Sequence, residues 1–247
     1  MSNIIENLRK KFNEHNIDGY VIPKNDEYFS EYSSKDRLKA VTNFSGSLGY
    51  AIVLKKKNYL FVDGRYTIQA KIECKKNFKI IGYEKLSKCK IFKNLNLGID
   101  PALFTRQQIQ NFFPYNYIKL ITKNIVDEVT KLKTKKNKPF YSLGENDVGE
   151  KHNSKMNKII KFLKKNKLDY IFITAPENVA WLLNIRGYDS PISPIPNSYL
   201  VISKDRRKFI ISDKSKLKNL IKNKKILSRE IITPEKVESF FIRLKKL

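Results

Sequence analysis

Cysteine and histidine are scarce in this sequence, and their scarcity excludes several kinds of functional site. Only Cys74, Cys89, His15 and His152 occur among 247 residues. Two cysteines do not make a disulfide framework or a zinc site, so we expect two free thiols. Neither histidine has a histidine or carboxylate four positions away, and no HExxH, GxSxG or CxxC motif occurs. The residues alone therefore predict no catalytic residue and no metal ligand in this chain.

Long apolar runs are also missing. No run of about 18 apolar residues occurs, so the sequence predicts no membrane span. The N-terminal stretch MSNIIENLRKKF mixes charged and apolar side chains at helical spacing. It lacks the uninterrupted apolar core of a secretory signal. We therefore expect a cytoplasmic protein.

Acidic residues are few relative to basic ones. The sequence has 24 Asp and Glu against 50 Lys and Arg, which gives a formal net charge of +26. Such a charge raises the hypothesis of nucleic-acid binding. The lysines, however, are spread through every segment and do not gather on one element. We therefore expect nonspecific attraction to polyanions at low salt, and specific nucleic-acid binding remains only the third functional hypothesis.

The order of predicted elements repeats once along the chain. Ile17–Ile22 is matched by Leu168–Ile173, and Tyr59–Asp63 is matched by Phe209–Asp213. The predicted fold class is therefore α/β, with two tandem domains that each contain a mixed β-sheet flanked by helices. We place the first domain at residues 1–132, a linker at 133–153 and the second domain at 154–247.

Hydrophobic periodicity and turn residues predict the elements of each copy. In the first copy we expect a helix that begins within Asn25–Ser33 and a hairpin of Gly49–Leu54 with Tyr59–Val62. The other predicted elements of this copy are a first helix with Ile4, Leu8, Lys11 and Phe12 on one face, helices at Tyr66–Cys74 and Thr105–Phe112, and strands at Gly19–Pro23, Phe78–Tyr83 and Leu97–Asp100. In the second copy they are helices at Met156–Asn166, Glu177–Asn184 and after Thr233, and strands at Leu168–Ile173, Ser198–Ser203, Phe209–Asp213 and Ile226–Ile232.

The second copy is predicted to be incomplete. Nothing in it corresponds to the strand Leu97–Asp100 and the helix Thr105–Phe112 of the first copy. A sheet without its last strand has an unpaired edge and uncovered apolar surface. We expect either truncation or completion by another chain, and a naturally shorter variant of the domain stays open.

One motif places a carboxylate and a guanidinium at the end of a predicted strand. In YLFVDGRYTIQA, Asp63 and Arg65 follow the strand directly, where α/β sheets usually carry functional groups. Asp63 could cap the following helix. Arg65 offers a planar fork suited to a carboxylate or a peptide carbonyl. A purely structural role of both residues stays open at this point.

A second unusual stretch, Ala175–Ser203, contains Trp181, which is the only tryptophan. Arg186 and Gly187 end its predicted helix. Pro191, Pro194 and Pro196 stiffen the loop that follows. This pattern is consistent with an interface or a substrate cleft, and equally with a core helix followed by a proline-rich connector.

Three motifs together resemble a known family. NFSGSLGYAIV, FVDGRYTIQA and PENVAWLLNIRGYDSPISPIPNSYLVI are similar to the tandem N-terminal creatinase-like domains of Xaa-Pro aminopeptidases, over about residues 4 to 240. The resemblance implies two ribonuclease H-like domains that precede a catalytic domain. In that family the catalytic domain supplies two Asp, one His and two Glu to a dinuclear site, usually of manganese. None of these ligands can be placed here, so no cofactor is expected in this chain.

The resemblance also assigns roles to individual residues. Arg65 matches the arginine that reaches towards the bound peptide, so it is the expected substrate-binding residue. Supporting roles fall to Asp63, which orients Arg65 or caps the helix, and to Tyr66, which packs beneath. Further supporting matches are Arg37, expected to be structural, and Trp181, Asn184 and Arg186, expected to support domain packing. Asn43 stands where glycine is common in the family, and asparagine tolerates a left-handed backbone.

The predicted function is that of the noncatalytic N-terminal part of an Xaa-Pro aminopeptidase-like metallopeptidase. Its expected contributions are dimerisation, gating of the cleft and a contact with Xaa-Pro peptides through Arg65. The expected partners are such peptides, a possible separate catalytic-domain chain and a second copy of this chain. A peptide-binding or regulatory module without a peptidase role is the alternative function.

Overall fold

The computed structural model describes residues 2–30, 32–33, 35–88, 92–130, 132 and 138–244. The chain divides into two compact units, Met1–Thr134 and Lys135–Leu247. In each unit, helices flank a sheet that mixes parallel and antiparallel strands, which confirms the predicted α/β class. Within the described residues, no helix is both long enough and apolar enough to cross a membrane. The predicted free thiol Cys74 is buried, and Cys89 lies outside the described residues.

The first unit is built on a six-stranded sheet of order β4-β3-β2-β1-β5-β6. Its strands are β1 Gly19–Pro23, β2 Gly49–Leu54, β3 Asn58–Val62, β4 Lys79–Gly82, β5 Asn96–Ile99 and β6 Tyr117–Leu120. The predicted hairpin is confirmed, because β2 and β3 pair antiparallel with Gly49 opposite Val62. β1 also pairs antiparallel with β2, whereas its other neighbour, β5, runs parallel to it. The described edge strand β6 was not predicted.

Helices cover both faces of this sheet. They are α1 Ser2–Lys10, α2 Arg37–Thr42, α3 Thr67–Cys74, α4 Arg106–Phe112 and α5 Ile125–Thr130. Alternate residues of a strand point to opposite faces, and accordingly Ile22 lies in one hydrophobic cluster while Val21 lies in the other. The inner strands β1, β2, β3 and β5 are therefore buried on both sides.

The predicted helix within Asn25–Ser33 is wrong. Among the described residues of this stretch, none lies in a helix. The Asp26 carboxylate accepts hydrogen bonds from the backbone N–H groups of Tyr28 and Ser30, and Phe29 has a left-handed backbone with φ of 59°. Such local side-chain bonds compete with helix formation. The helix that the sequence places here begins later, at Arg37.

The second unit repeats part of this plan in a four-stranded sheet of order β12-β11-β10-β8. The strands of this sheet are β8 Tyr170–Ile173, β10 Tyr199–Ser203, β11 Lys208–Ile211 and β12 Ile231–Ile232. Two further short strands, β7 Tyr141–Ser142 and β9 Ile185–Arg186, pair with each other in a separate sheet. The β8–β10–β11 pairs are antiparallel and β11–β12 is parallel, as in β1–β2–β3–β4. The predicted strand Ile226–Ile232 is therefore wrong in length, because a 3-10 turn at Ser228–Glu230 leaves only its last two residues extended.

Helices α6 His152–Lys165, α7 Pro176–Leu183, α8 Lys218–Lys222 and α9 Val237–Leu244 complete this unit. Residues 138–153, placed in the linker by sequence, include the fully buried Phe140 and the strand β7. Residues 133–137 of that linker lie outside the described part of the chain. The domain limits at residues 132 and 154 stay a prediction.

The two copies differ at one sheet edge. In the first unit β5 lies beside β1, and a Cβ added at Gly98 of β5 would come within 2.9 Å of the Ile17 side chain. Among the described residues, no strand lies at the corresponding edge of β8. Ile17 and Val21 are 2% and 1% exposed, whereas their counterparts Leu168 and Phe172 are 44% and 43% exposed. The predicted open edge is thus present in the described structure.

Candidate substrate-contact site

Asp63 directly follows β3 and organises the turn that leads into α3. One of its carboxylate oxygens accepts hydrogen bonds from the Arg65 backbone N–H, at 3.0 Å, and from the Arg65 Nε, at 2.9 Å. Gly64–Tyr66 forms a single 3-10 turn before the helix begins. The same oxygen therefore caps this 3-10 turn and holds the guanidinium, whereas α3 itself begins without a side-chain cap.

The Arg65 side chain is largely exposed and lies beside an aromatic ring. It is 73% exposed, and its guanidinium carbon lies 5.5 Å from the centre of the Tyr66 ring. The Tyr66 hydroxyl and the Ser47 hydroxyl are 3.0 Å apart, and the Tyr66 ring meets Phe44 edge to face. Tyr66 is in this way fixed against the turn that precedes β2.

In the turn that precedes β2, the Gly46 backbone lies close to the Phe44 ring. A Cβ added at Gly46 would lie 2.2 Å from the Phe44 ring, which is closer than any side chain allows. The Glu73 carboxylate of α3 accepts hydrogen bonds from the Ser45 N–H, at 2.8 Å, and from the Ser45 hydroxyl, at 2.6 Å. The Gln69 side-chain amide donates hydrogen bonds to the Ser45 hydroxyl and to the Glu73 carboxylate. Sequence reasoning missed this network, since Ser45 and Glu73 are far apart in the chain.

The electrostatics of the site favour an ionised pair. Hydrogen bonds from Arg65 hold the pKa of Asp63 below its ordinary value, so the carboxylate is charged at neutral pH. An exposed ion pair contributes little to folding stability. Its effect is to restrict where the guanidinium can point.

Arg37 occupies a very different environment. It lies on α2, is 2% exposed, and forms two parallel hydrogen bonds with the Asp127 carboxylate of α5, at 2.7 and 2.8 Å. A further bond joins it to Glu27.

Asn43 ends α2 with a left-handed φ of 65°, which confirms the sequence-based expectation that asparagine adopts this backbone here.

Trp181, Asn184 and Arg186 come together in the second unit. They line a groove of about 290 Å³, to which Glu150 and Lys155 also contribute. The Trp181 indole is 55% exposed. Arg186 donates to the backbone carbonyls of Ala180 and Ile185, so its guanidinium braces the end of α7.

Lys155 lies beneath this groove and was not singled out from the sequence. It is 4% exposed, donates to the Trp181 carbonyl and to the Asn184 side-chain oxygen, each at 2.8 Å, and lies 4.2 Å from the indole centre. Burial lowers its pKa. In a helix with several lysines, nothing in the sequence distinguishes the buried one from its exposed neighbours.

Within the described residues, no three His, Cys, Asp or Glu side chains lie close enough together to hold a metal ion. The side chains present there do not fit the dinuclear site of the resembled family.

Comparisons with known proteins agree with this architecture. Two family profiles, both described as the creatinase/prolidase N-terminal domain, match residues 4–118 and 131–247. A probable Xaa-Pro aminopeptidase P of Laccaria bicolor is 32% identical over 216 residues, which cover 80% of this chain and 34% of that protein. Xaa-Pro aminopeptidase 1 of Dictyostelium discoideum is 29% identical over 253 residues, covering 90% of this chain and 39% of that protein.

A solved structure has a similar fold. The X-prolyl aminopeptidase of Caenorhabditis elegans, described as a cytosolic enzyme with a di-nuclear active site, superposes with a TM-score of 0.85 at 26% identity. The match covers 98% of this chain and 44% of that one. The chain thus spans less than half the length of these relatives. It carries two creatinase/prolidase N-terminal domains in tandem, and it resembles the N-terminal region of the Xaa-Pro aminopeptidase P family.

Proposed function

We propose that this chain serves as the noncatalytic N-terminal part of an Xaa-Pro aminopeptidase-like metallopeptidase, which releases an N-terminal residue that precedes proline. Its own contribution is to position the peptide through Arg65. The observation that supports this role is the exposed guanidinium of Arg65, which Asp63 holds at the end of β3.

Arg65 acts in this proposal by orienting the substrate. A guanidinium can donate two parallel hydrogen bonds to a carboxylate, or one to a peptide carbonyl. Because Asp63 and the Tyr66 ring restrict its position, less conformational freedom is lost when a peptide binds. Correct placement of the scissile bond increases the rate without any proton transfer by Arg65.

Bond cleavage belongs to another part of the enzyme in this proposal. The Caenorhabditis elegans relative is described as having a di-nuclear active site, and we expect a pair of metal ions, manganese by family resemblance, to activate water in a catalytic region. That region is either continuous with this chain or a separate chain. We further propose a cytosolic location and assembly into a homo-oligomer, as expected from the sequence.

The test is a fusion in which residues 1–247 replace the matching region of the Dictyostelium discoideum relative. Hydrolysis of a fluorogenic Xaa-Pro peptide is measured with manganese. Arg65→Ala should lower kcat/KM by about ten- to a hundred-fold, because a charged hydrogen bond contributes about 1.5–3 kcal/mol. Arg65→Lys should restore part of this loss. Arg106→Ala removes another exposed arginine of the same unit and should have no effect.

Two outcomes would contradict the proposal. An inactive fusion, with the intact relative active in the same assay, would favour the peptide-binding or regulatory module. An active fusion with unchanged rate constants for Arg65→Ala would remove Arg65 from the substrate site.

A further inference from the structure

A basic pocket in the first unit has no part in the proposed peptidase role. It has a volume of about 490 Å³ and lies between α1, the turn from β2 to β3, and the residues that lead into β4. Five of the eight lining residues are cationic and none is acidic; the cations are Arg9, Lys56, Lys57, Lys76 and Lys79. Charges that are scattered in the sequence therefore gather in space at this position.

A hydrogen-bond network fixes the pocket in place. Arg9 donates from Nε to the Leu54 carbonyl and from Nη2 to the Asn58 side-chain oxygen, both at 2.9 Å. The Asn58 amide in turn donates to the Asn77 carbonyl at 2.9 Å. The three segments that carry the cations are thereby joined, and the Arg9 guanidinium is held at the pocket.

The lysines of the pocket have no counter-ion in the described part of the chain. Lys55, the neighbour of Lys56, forms an ion pair with Asp18 at 2.9 Å. None of the four pocket lysines forms an ion pair with a described carboxylate. Five like charges around one cavity repel each other, and a bound polyanion would relieve this repulsion.

The size and the walls of the pocket indicate the class of ligand. Its volume is in the range of small-molecule sites, and a single phosphate would engage only some of the cations. Single-stranded nucleic acid is normally held by exposed aromatic rings on which bases stack. The aromatic residue that lines this pocket, Tyr59, is 4% exposed and packs edge to face on Phe92. The walls thus offer charge without a stacking surface.

We propose that this pocket binds a small anion with several phosphate groups. The probe is inorganic tripolyphosphate, titrated calorimetrically into the 247-residue chain at 50 and 150 mM salt. We expect saturable binding of one tripolyphosphate per chain that weakens as salt increases, because counter-ions are released on binding. Inorganic phosphate should bind at least tenfold more weakly.

Two double variants with the same change in net charge distinguish binding in this pocket from nonspecific attraction to a basic chain. Lys56→Glu/Lys76→Glu should weaken tripolyphosphate binding at least tenfold. Lys161→Glu/Lys164→Glu, at two exposed positions of α6 in the other unit, changes the net charge equally and should change the affinity less than twofold. The milder Lys56→Gln/Lys76→Gln, checked by circular dichroism, covers the case in which charge reversal disturbs folding.

Three results would overturn the proposal. They are the absence of saturable binding, an equal loss of affinity in the two double glutamate variants, and displacement of tripolyphosphate by a ten-nucleotide RNA at lower phosphate concentration. The last would assign the pocket to nucleic acid.

Discussion

The Arg37 guanidinium and the Asp127 carboxylate meet in a two-pronged ion pair that joins α2 to α5. Their nitrogen and oxygen atoms lie 2.7 and 2.8 Å apart, and only 2% of the Arg37 side chain is exposed. A buried guanidinium that loses its partner, or a carboxylate that loses its guanidinium, keeps a desolvated charge. The pair therefore makes the stability of the first unit sensitive to both residues.

Replacing Arg37 by alanine should destabilise the first unit by about 3 kcal/mol, because breaking a buried ion pair from one side costs roughly 3–5 kcal/mol and Asp127 is partly exposed. The measurement is urea unfolding followed by circular dichroism. Lys39→Ala, at an exposed position of the same helix, should change the unfolding free energy by less than about 0.5 kcal/mol. Equal effects of the two substitutions would show that the ion pair is not stabilising.

The Arg37–Asp127 ion pair also predicts that the stability of the first unit depends on pH. Burial would raise the pKa of Asp127, but the hydrogen bond and charge of Arg37 outweigh burial and hold it below its ordinary value. The unfolded chain then binds a proton more readily, so this contribution is complete above about pH 4 and is lost as the pH falls further. The difference in unfolding free energy between the wild type and Asp127→Asn should therefore stay constant from about pH 7 to about pH 5 and shrink as the pH falls below about 4. A difference that stayed unchanged below about pH 4 would contradict this assignment.

Substitution of Asn184 should lower the stability of the second unit in two separable ways, through its backbone conformation and through its side-chain hydrogen bonds. Its backbone is left-handed, with φ of 52°, and its side chain accepts from Lys155 and donates to the Glu150 carbonyl. Asn184→Gly removes only the side-chain bonds, and Asn184→Ala also strains the backbone, which should cost about 1 kcal/mol more. The fluorescence of Trp181, the only tryptophan, reports unfolding of this unit. If Asn184→Gly and Asn184→Ala lowered the unfolding free energy equally, the left-handed backbone at this position would not cause the predicted difference.

The matched positions Ile17 and Leu168 should respond unequally to truncation. Ile17→Ala should cost about 2–5 kcal/mol, because β5 and its surroundings bury the side chain. Leu168→Ala, at the open edge of the second sheet, should cost less than about 1 kcal/mol. Each variant is measured by urea unfolding of the full chain. If Leu168→Ala were as costly as Ile17→Ala, a further segment would have to cover that edge in solution.

The sequence predicted the fold best where burial creates a regular pattern. The hairpin of β2 and β3 was predicted because nearly every residue in it is apolar and buried, and the helix predicted at Thr105–Phe112 is present as α4, with Thr105 as its N-cap. β6 was missed because its residues, Tyr117–Leu120, are mostly exposed at the sheet edge. No apolar pattern distinguishes such a strand from a loop.

The candidate site was only partly accessible from sequence. Asp63 and Arg65 are two positions apart, so their juxtaposition follows from a single motif. The contacts of Ser45 with Glu73 and of Arg37 with Asp127 depend on tertiary packing between distant segments. The basic pocket is a further example, because its cations come from three segments and only the folded chain brings them together.

The Asp63 turn has a counterpart that lacks the guanidinium. Asp213 also follows a strand, and its carboxylate accepts from the Ser215 N–H at 2.8 Å, just as Asp63 accepts from that of Arg65. The two units thus share the geometry of this turn, whereas the residue two positions after the aspartate is arginine in the first unit and serine in the second. The bond from carboxylate to backbone N–H therefore forms without an arginine at this position, so the side chain there can change while the hydrogen bond of the turn is retained.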